Sequence, residues 1–224
     1  MVGAEAFRGR RLVAESASGN GAVGAWTLAT KLGGDLGREH SWQAGLAYLR
    51  SARIAVQEEH HEGEEGEAEP ADAHEHEHGH GAAYGGRHTW LADATWKWAP
   101  GGNNRAQQLR VTLEAARISG INEFASAGQR HTAWGLGAVW RFHPSWEVGG
   151  RFDRLRVSIP HEDHFHTGRL AEAALMLAWK PVHAQTLRLQ LTRQGRALGI
   201  EDVSRQTVQL QYIVAFGAHG AHAF

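Results

Sequence analysis

The sequence has no cysteine among its 224 residues and only five prolines. The lack of cysteine excludes disulfides, thiolate metal sites and a cysteine nucleophile. No apolar run approaches the length of about 18 residues that a membrane-spanning helix needs, so the sequence predicts no such helix. A membrane β-barrel is not excluded, because its strands alternate in polarity instead of forming one continuous apolar run.

The amino terminus also lacks the pattern of a secretory leader. Residues 1–20 are polar, contain Arg8, Arg10 and Arg11, and have no apolar stretch of the kind that export requires. Two interpretations stay open at this point. The chain is either a cytoplasmic protein, or a mature form or fragment of an exported one, and the strand pattern bears on the choice.

Charge is balanced overall but uneven along the chain. The 23 Lys and Arg against 24 Asp and Glu give a formal charge of −1, which predicts no nucleic-acid partner. Ten of the acidic residues lie between Glu58 and Glu77, so the remainder of the chain holds 23 basic and 14 acidic residues. An acidic segment therefore interrupts a chain that is otherwise basic.

Apolar residues recur with a period of two, which predicts β-strands. In residues 88–98, Trp90, Trp96 and Trp98 share one face, whereas Asp93 and Lys97 share the other. Similar alternation predicts strands near residues 5–14, 26–32, 42–48, 109–116, 129–142, 146–152, 171–179, 187–192 and 208–216. The first of these is the weakest, and residues 171–179 would also suit a helix by propensity alone.

The predicted strands suit a membrane. Roughly ten strands of about 10–14 residues exceed the usual strand length of about 5–6 residues, and a tilted strand of about 9–11 residues crosses a bilayer. The connections alternate between short ones (34–41, 100–106, 143–145, 181–184) and mostly longer ones (16–23, 55–86, 120–128, 159–166, 197–203). Outer-membrane barrels have short periplasmic turns and longer external loops. This parity places both termini on the periplasmic side.

Aromatic residues and charges agree with that placement. Tryptophans gather beside the short connections, and Trp26 and Trp90 lie at the opposite strand ends, as two interfacial girdles require. The face opposite the apolar one is charged. Its basic residues, which we expect to line a hydrated lumen, are Lys97, Arg110, Arg141, Arg151 and Arg188. In a soluble β-sandwich or barrel the same charges would be buried at high cost.

We therefore predict an all-β fold: an antiparallel up-and-down transmembrane β-barrel with about ten strands in this chain, standing alone or as part of a larger barrel. Residues 1–224 form a single domain, with a His/Glu-rich external loop at 55–86 and a periplasmic tail at 217–224.

The last predicted strand and the tail carry a resemblance. Alternating Val208, Leu210, Tyr212, Val214 and Phe216, followed by the terminal Phe224, resemble the C-terminal signal of Gram-negative outer-membrane β-barrels, porins included. The resemblance implies outer-membrane lipid and the barrel-assembly machinery as partners. The GAHGAHAF tail and the His/Glu loop are similar to the C-terminal part of zinc-regulated, TonB-dependent-type receptors. That likeness implies a longer parent chain and TonB as its partner, although no TonB box or plug domain is visible here.

Histidine supplies the metal-binding chemistry. His60, His61, His74, His76, His78 and His80 lie in a low-complexity acidic segment, where imidazole and carboxylate ligands suit Zn²⁺ or another divalent cation. A second cluster holds His161, His164 and His166 with Glu162 and Asp163. The alternative is a pair of solvated polar loops without a ligand. We expect divalent metal as a ligand, and no cofactor as a requirement.

These features predict a porin-like or receptor-like barrel that passes or captures small solutes and binds divalent metal, with zinc favoured, at its external loops. The basic lumen favours an anionic or ligand-complexed solute over a bare cation. The alternative is a surface metal-binding or adhesion barrel without an open pore. No nucleophile elbow, HExxH motif or phosphate-binding loop occurs. We therefore expect no enzyme, although Asp163 and His164 imitate the acid/His pair of some outer-membrane enzymes.

Overall fold

The computed structural model of the chain describes residues 1–7, 24–51, 85–121, 124–161, 164–182, 184–195 and 205–216. Within these residues the fold is a set of strands with one short 3₁₀ turn, Pro100–Gly102. The strands are β1 (Val2–Phe7), β2 (Ala25–Leu36), β3 (His40–Ser51), β4 (His88–Trp98), β5 (Gln108–Ser119), β6 (Arg130–His143), β7 (Trp146–His161), β8 (His164–Trp179), β9 (Gln185–Gln194) and β10 (Gln206–Val214). No helix in this part of the chain is long and apolar enough to cross a membrane.

The strands form one sheet in which every strand pairs with its neighbours in sequence. The order is β1 to β10 without a crossover, and each pairing is antiparallel. The predicted all-β, up-and-down antiparallel architecture is therefore confirmed. The sheet has two ends: a turn end, with the connections 37–39, 99–107, 144–145 and 180–184, and a loop end, where the other connections leave the strands.

The predicted closure into a barrel is not seen. Within the described residues β1 and β10 are the two edges of the sheet, and they do not pair with each other. Closure depends on strand number, tilt and register shift together. Alternation in the sequence specifies which face a residue occupies, but it specifies none of these three quantities. It therefore could not predict whether β1 pairs with β10.

Two local predictions are corrected or resolved by the sheet. Residues 171–179, which would also suit a helix, lie in β8, because all of them pair in register with β7. The external loop expected at residues 159–166 is wrong in extent: β7 continues to His161 and β8 begins at His164. The polar residues and Pro160 suggested a loop, since proline is disfavoured within strands. Pairing along two 16-residue strands prevails over that local preference.

The turn between β2 and β3 is tight because of one glycine. Gly37 has φ +73°, in the left-handed region that side-chain-bearing residues rarely adopt, and nothing lies near the position of its missing Cβ. A residue with a side chain would fit the space but strain the backbone. The turn joins Leu36 and His40, which pair directly, so β2 and β3 remain in register from their first residue pair.

Little of this sheet is buried. Among the described residues the buried apolar side chains are Ala25, Ala99, Ile121, Val157 and Ala178, with Val157 the largest that is fully enclosed. Many large apolar residues are exposed, including Leu175 at 65% and Leu113 at 47%. A soluble domain covers one face of a sheet with a second layer. No second layer covers either face here within the described part of the chain.

Candidate functional site

The candidate site is the pair of faces of the sheet. Residues paired across antiparallel strands share a face, so the register assigns every strand residue to one side. Trp96, for example, pairs with Trp42 on β3 and with Val111 on β5, so the three side chains share a face. We call this side the apolar face. Its exposed large residues include Leu46, Trp90, Trp96, Leu113, Trp134, Leu136, Trp140, Phe152, Leu175, Leu177, Trp179, Leu189, Leu191, Leu210 and Tyr212.

Tryptophans form two bands on the apolar face. Near the turn end lie Trp42, Trp96, Trp98, Trp140, Trp146 and Trp179. The ring centroids of Trp146 and Trp179 are 6.2 Å apart. Toward the loop end, Tyr48 contacts Trp26 and Trp90 at centroid distances of 5.2 Å and 4.6 Å. The face is therefore aromatic toward both ends and mainly aliphatic between them, as the sequence predicted.

The opposite side, which we call the polar face, holds the predicted lumen residues. Lys97 and Arg110 pair directly across β4 and β5, and the register places Arg141, Arg151 and Arg188 on the same side. Every carboxylate of the described strands also lies on this face: Glu5, Asp35, Asp93, Glu114, Glu147, Asp153 and Glu172. The apolar face has no acidic residue in the described strands.

Ion pairs on the polar face lie in its middle and at the turn end, and those in the middle are exposed. In the middle, Arg151 Nε lies 2.7 Å from Asp153 Oδ2, and Arg151 Nη2 lies 3.6 Å from Glu114 Oε2. Asp93 makes a longer contact of 3.7 Å with Lys31 Nζ. These groups are substantially exposed, so each pair contributes little stability in water. Their main effect is to neutralise charge locally along the centre of the face.

Close packing at two glycines makes room for this central row of carboxylates. Gly45 and Gly135 are the cross-strand partners of Asp93 and Asp153. A Cβ added at either glycine would clash with the carboxylate oxygen of its partner. The carboxylates can therefore lie over the backbone of the neighbouring strand instead of pointing straight away from it.

A tighter cluster lies at the turn end and was not anticipated. Glu147 accepts hydrogen bonds from Arg141 Nη2 at 2.6 Å and contacts Lys180 Nζ at 2.8 Å. The Glu147 side chain is only 11% exposed. Arg141 also donates to the carbonyl of Asn104 at 2.9 Å, so the cluster links three turn-end connections. The sequence offered one signal: Arg141 and Glu147 flank the short 144–145 turn at pairing distance.

The predicted metal ligands are only partly within the described residues. His60, His61, His74, His76, His78 and His80 lie outside them, as does the tail 217–224. For His161 only the backbone is described, and it pairs with His164 at the loop-end hairpin. Among the described side chains there is no group of three or more His, Asp or Glu that would hold a metal ion.

His164 and His166 are brought together. Both lie on the polar side of β8, and their Nε2 atoms are 2.9 Å apart, with ring centroids at 4.6 Å. Zinc binds imidazole nitrogen at about 2.0–2.1 Å. Two nitrogens at this separation can both reach one ion, which gives two of the about four ligands that zinc takes. The remaining ligands would have to come from elsewhere.

Arginines of the apolar face form the other feature that was not anticipated. Arg50, Arg117, Arg130, Arg154, Arg156, Arg169 and Arg193 lie on this face, and all of them are in its loop-end half. The period of two would have found them, since Arg154 and Arg156 continue the alternation of Phe152.

No protein family, curated protein or solved structure matches the chain.

Proposed function

We propose that these strands form the wall of an outer-membrane β-barrel of the porin or receptor type, which passes or captures small solutes. The supporting observation is the segregation of the two faces. One face is apolar and aromatic toward both ends, and the other carries every carboxylate of the described strands. A barrel wall in lipid needs an outer face that is apolar across the hydrocarbon, and it tolerates charge in the interior and near the membrane interfaces.

In this proposal the open edges β1 and β10 are closed in the membrane, either by each other or by further strands. An uncovered edge leaves unpaired N–H and C=O groups, which lipid cannot hydrogen-bond. The barrel-assembly machinery would insert the chain, with the alternating residues of β10 as its signal. The outer membrane of a Gram-negative cell is then its location, and TonB is a partner if the strands belong to a longer receptor.

The polar face determines what would pass. Lys97, Arg110 and Arg188 exceed the carboxylates toward the turn end, whereas Asp93, Glu114, Asp153 and Glu172 form a row across the middle. A solute would therefore meet an acidic level and then a basic one. Such a path disfavours a bare ion of either sign and favours a zwitterionic or ligand-complexed solute.

Divalent metal, with zinc favoured, is the proposed ligand of the loop end. The observation behind this is the His164–His166 pair, whose nitrogens already lie close enough for one ion. The His-rich residues 60–80 would supply further ligands. Zinc titration by calorimetry, comparing the whole chain with a variant lacking residues 58–80, tests the contribution of that segment. Equal affinity would remove the segment from the proposal.

Two measurements test the barrel. The chain is refolded into detergent and run on gels with and without heating, and a compact, protease-resistant unheated species is expected. Single-channel recording in planar bilayers then separates an open pore from the alternative, a surface metal-binding or adhesion barrel without one. The Arg141–Glu147–Lys180 cluster favours that alternative at the turn end, because a narrow barrel can be plugged by such side chains. Steady conductance steps would contradict the alternative of a barrel without an open pore.

A further inference from the structure

In the described strands, the loop-end half of the apolar face is cationic and has no acidic residue. Every Lys or Arg residue on this face is an arginine, and none of them lies in the turn-end half. On the polar face, in contrast, Lys31 and Arg151 pair with carboxylates. Arginine is therefore distributed unevenly along the apolar face, and these arginines are distinct from the charged residues of the polar face.

Four of these arginines form a compact group, which we call the arginine patch: Arg117, Arg154, Arg156 and Arg169. Arg156 and Arg169 are direct cross-strand partners, and Arg117 lies in the same row, with only Thr132 between it and Arg156. Arg154 precedes Arg156 by two residues on the same strand face. With strands about 4.8 Å apart and about 3.3 Å per residue, the four Cα atoms fit within an area of about 15 by 7 Å.

Within the residues that the structure describes, the patch has no counter-charge. All four side chains are exposed, and none makes an ion pair or hydrogen bond with another described group. Like charges placed directly opposite one another in a sheet are destabilising. A cluster of this kind is accounted for if an external anion neutralises it.

We propose that the arginine patch binds the phosphate groups of lipid headgroups in the leaflet at the loop end. The guanidinium fork matches phosphate oxygens two at a time, which lysine cannot do. The apolar face continues directly from the patch: Trp90 pairs with Arg117, and Trp134 pairs with Arg154. A molecule with a phosphate head and acyl chains fits both parts, with the head on the arginines and the chains along the apolar face.

A lipid is favoured over a water-soluble anion because the apolar face adjoins the arginines. A free phosphate would use only the arginines and would leave the adjoining Trp90, Trp134 and Phe152 exposed. Basic clusters beside an apolar membrane surface attract anionic headgroups. This inference rests on the proposed membrane location, and the experiment below separates the two.

Tryptophan quenching by lipids with brominated acyl chains provides the test, since Trp90 and Trp134 adjoin the patch. The full chain is reconstituted into phosphatidylcholine vesicles, and brominated phosphatidylcholine is compared with brominated phosphatidic acid in the same background. The Arg156→Gln/Arg169→Gln variant is compared with Arg38→Gln/Arg105→Gln, which removes the same charge from two exposed turn-end arginines. Inorganic phosphate is added in a separate arm.

The wild type should be quenched by both lipids and should prefer phosphatidic acid about fivefold or more. The patch variant should lose most of that preference while quenching by phosphatidylcholine persists, and the turn-end variant should keep it. Free phosphate at millimolar concentration should not displace the lipid.

Three results would overturn the inference. If brominated phosphatidylcholine fails to quench, the chain is not in the bilayer, and the proposed function fails together with the patch. If it quenches but phosphatidic acid is not preferred, or the two variants behave alike, only the lipid proposal fails. Displacement by free phosphate would instead assign the patch to a water-soluble anion.

Discussion

The two faces of this sheet are made by the same strands and differ in almost every physical property. On one side, Leu113, Leu136 and Leu175 are exposed without any covering layer. On the other side, Glu114 of β5 and Arg151 of β7 form an ion pair. A one-residue shift of register would exchange the two sets. The strand register therefore determines which side of the sheet is apolar and which is charged, since no second layer separates these groups within the described residues.

The largest expected difference between the two faces is the loss of stability when an arginine is placed on each in turn. Leu113→Arg puts a cation in the middle of the apolar face and should lower the free energy of unfolding in lipid vesicles by about 2–4 kcal/mol. Thr112→Arg, on the polar face of the same strand, should cost about 1 kcal/mol or less, because a lumen residue stays hydrated. Urea unfolding of the refolded variants measures both. Equal losses would count against lipid contact with the apolar face.

The polar face can itself be divided by burial. Glu147→Gln removes contacts at 2.6 Å and 2.8 Å from a carboxylate that is only 11% exposed. We expect a loss of about 1–3 kcal/mol in the free energy of unfolding, since Arg141 and Lys180 then lose their shared counter-charge.

Asp153→Asn is the matched change in the exposed centre. Its partner Arg151 is 59% exposed, and the expected loss is below about 1 kcal/mol. Urea unfolding at low and high salt separates the two sites, because screening weakens the exposed pair more. A larger loss of stability for Asp153→Asn than for Glu147→Gln would contradict the expectation that the turn-end cluster stabilises the fold more than the central one.

Zinc binding should distinguish the faces at the loop end. In a variant lacking residues 58–80, His164→Ala/His166→Ala should weaken zinc binding at least about tenfold, the effect that loss of an outer-shell partner alone can have. His88→Ala is the control from the apolar face, where His88 Nδ1 lies 2.6 Å from the Tyr48 hydroxyl. Isothermal calorimetry gives the affinities. An unchanged affinity in the double variant would exclude the pair as ligands.

Glycine replacements should give the smallest difference. Gly135→Ala places a methyl group against Asp153 on the polar face, whereas Gly150→Ala, on the apolar face, meets Leu175 at an ordinary 3.6 Å. Alanine loses less backbone entropy on folding, so Gly150→Ala should stabilise by about 0.5 kcal/mol. The free energy of unfolding of Gly135→Ala should be about 1 kcal/mol lower than that of Gly150→Ala, because the Asp153 carboxylate must move. Urea unfolding decides, and the opposite order would mean that Asp153 adapts freely.

Much of the fold followed from alternation alone. The strand predicted at residues 88–98 has the bounds of β4, and Lys97, Arg110, Arg141, Arg151 and Arg188 share a face as expected. Alternation identifies the faces because successive residues of a strand point to opposite sides. It is clearest in the turn-end half and the middle of the sheet, whereas arginines take apolar-face positions toward the loop end. The metal ligands at residues 60–80 lie outside the described chain and stay a prediction.

Other features depended on contacts between distant residues. The extension of β7 and β8 through the expected loop follows from their pairing, which no local preference of Pro160 or the nearby histidines reports. The Glu147 cluster requires Lys180, which is brought from another turn. The arginine patch needs four strands in one register before its charges become neighbours.

The alternation of apolar and polar residues can be read from the sequence alone. It locates the strands, defines the two faces and assigns each charged strand residue to one side. This information is local, since successive side chains of an extended strand point to opposite faces wherever the strand lies. The residue-by-residue register and the open edges β1 and β10 became known only from the tertiary structure. Those depend on backbone pairing between segments far apart in the chain, and the identity of single residues constrains that pairing weakly.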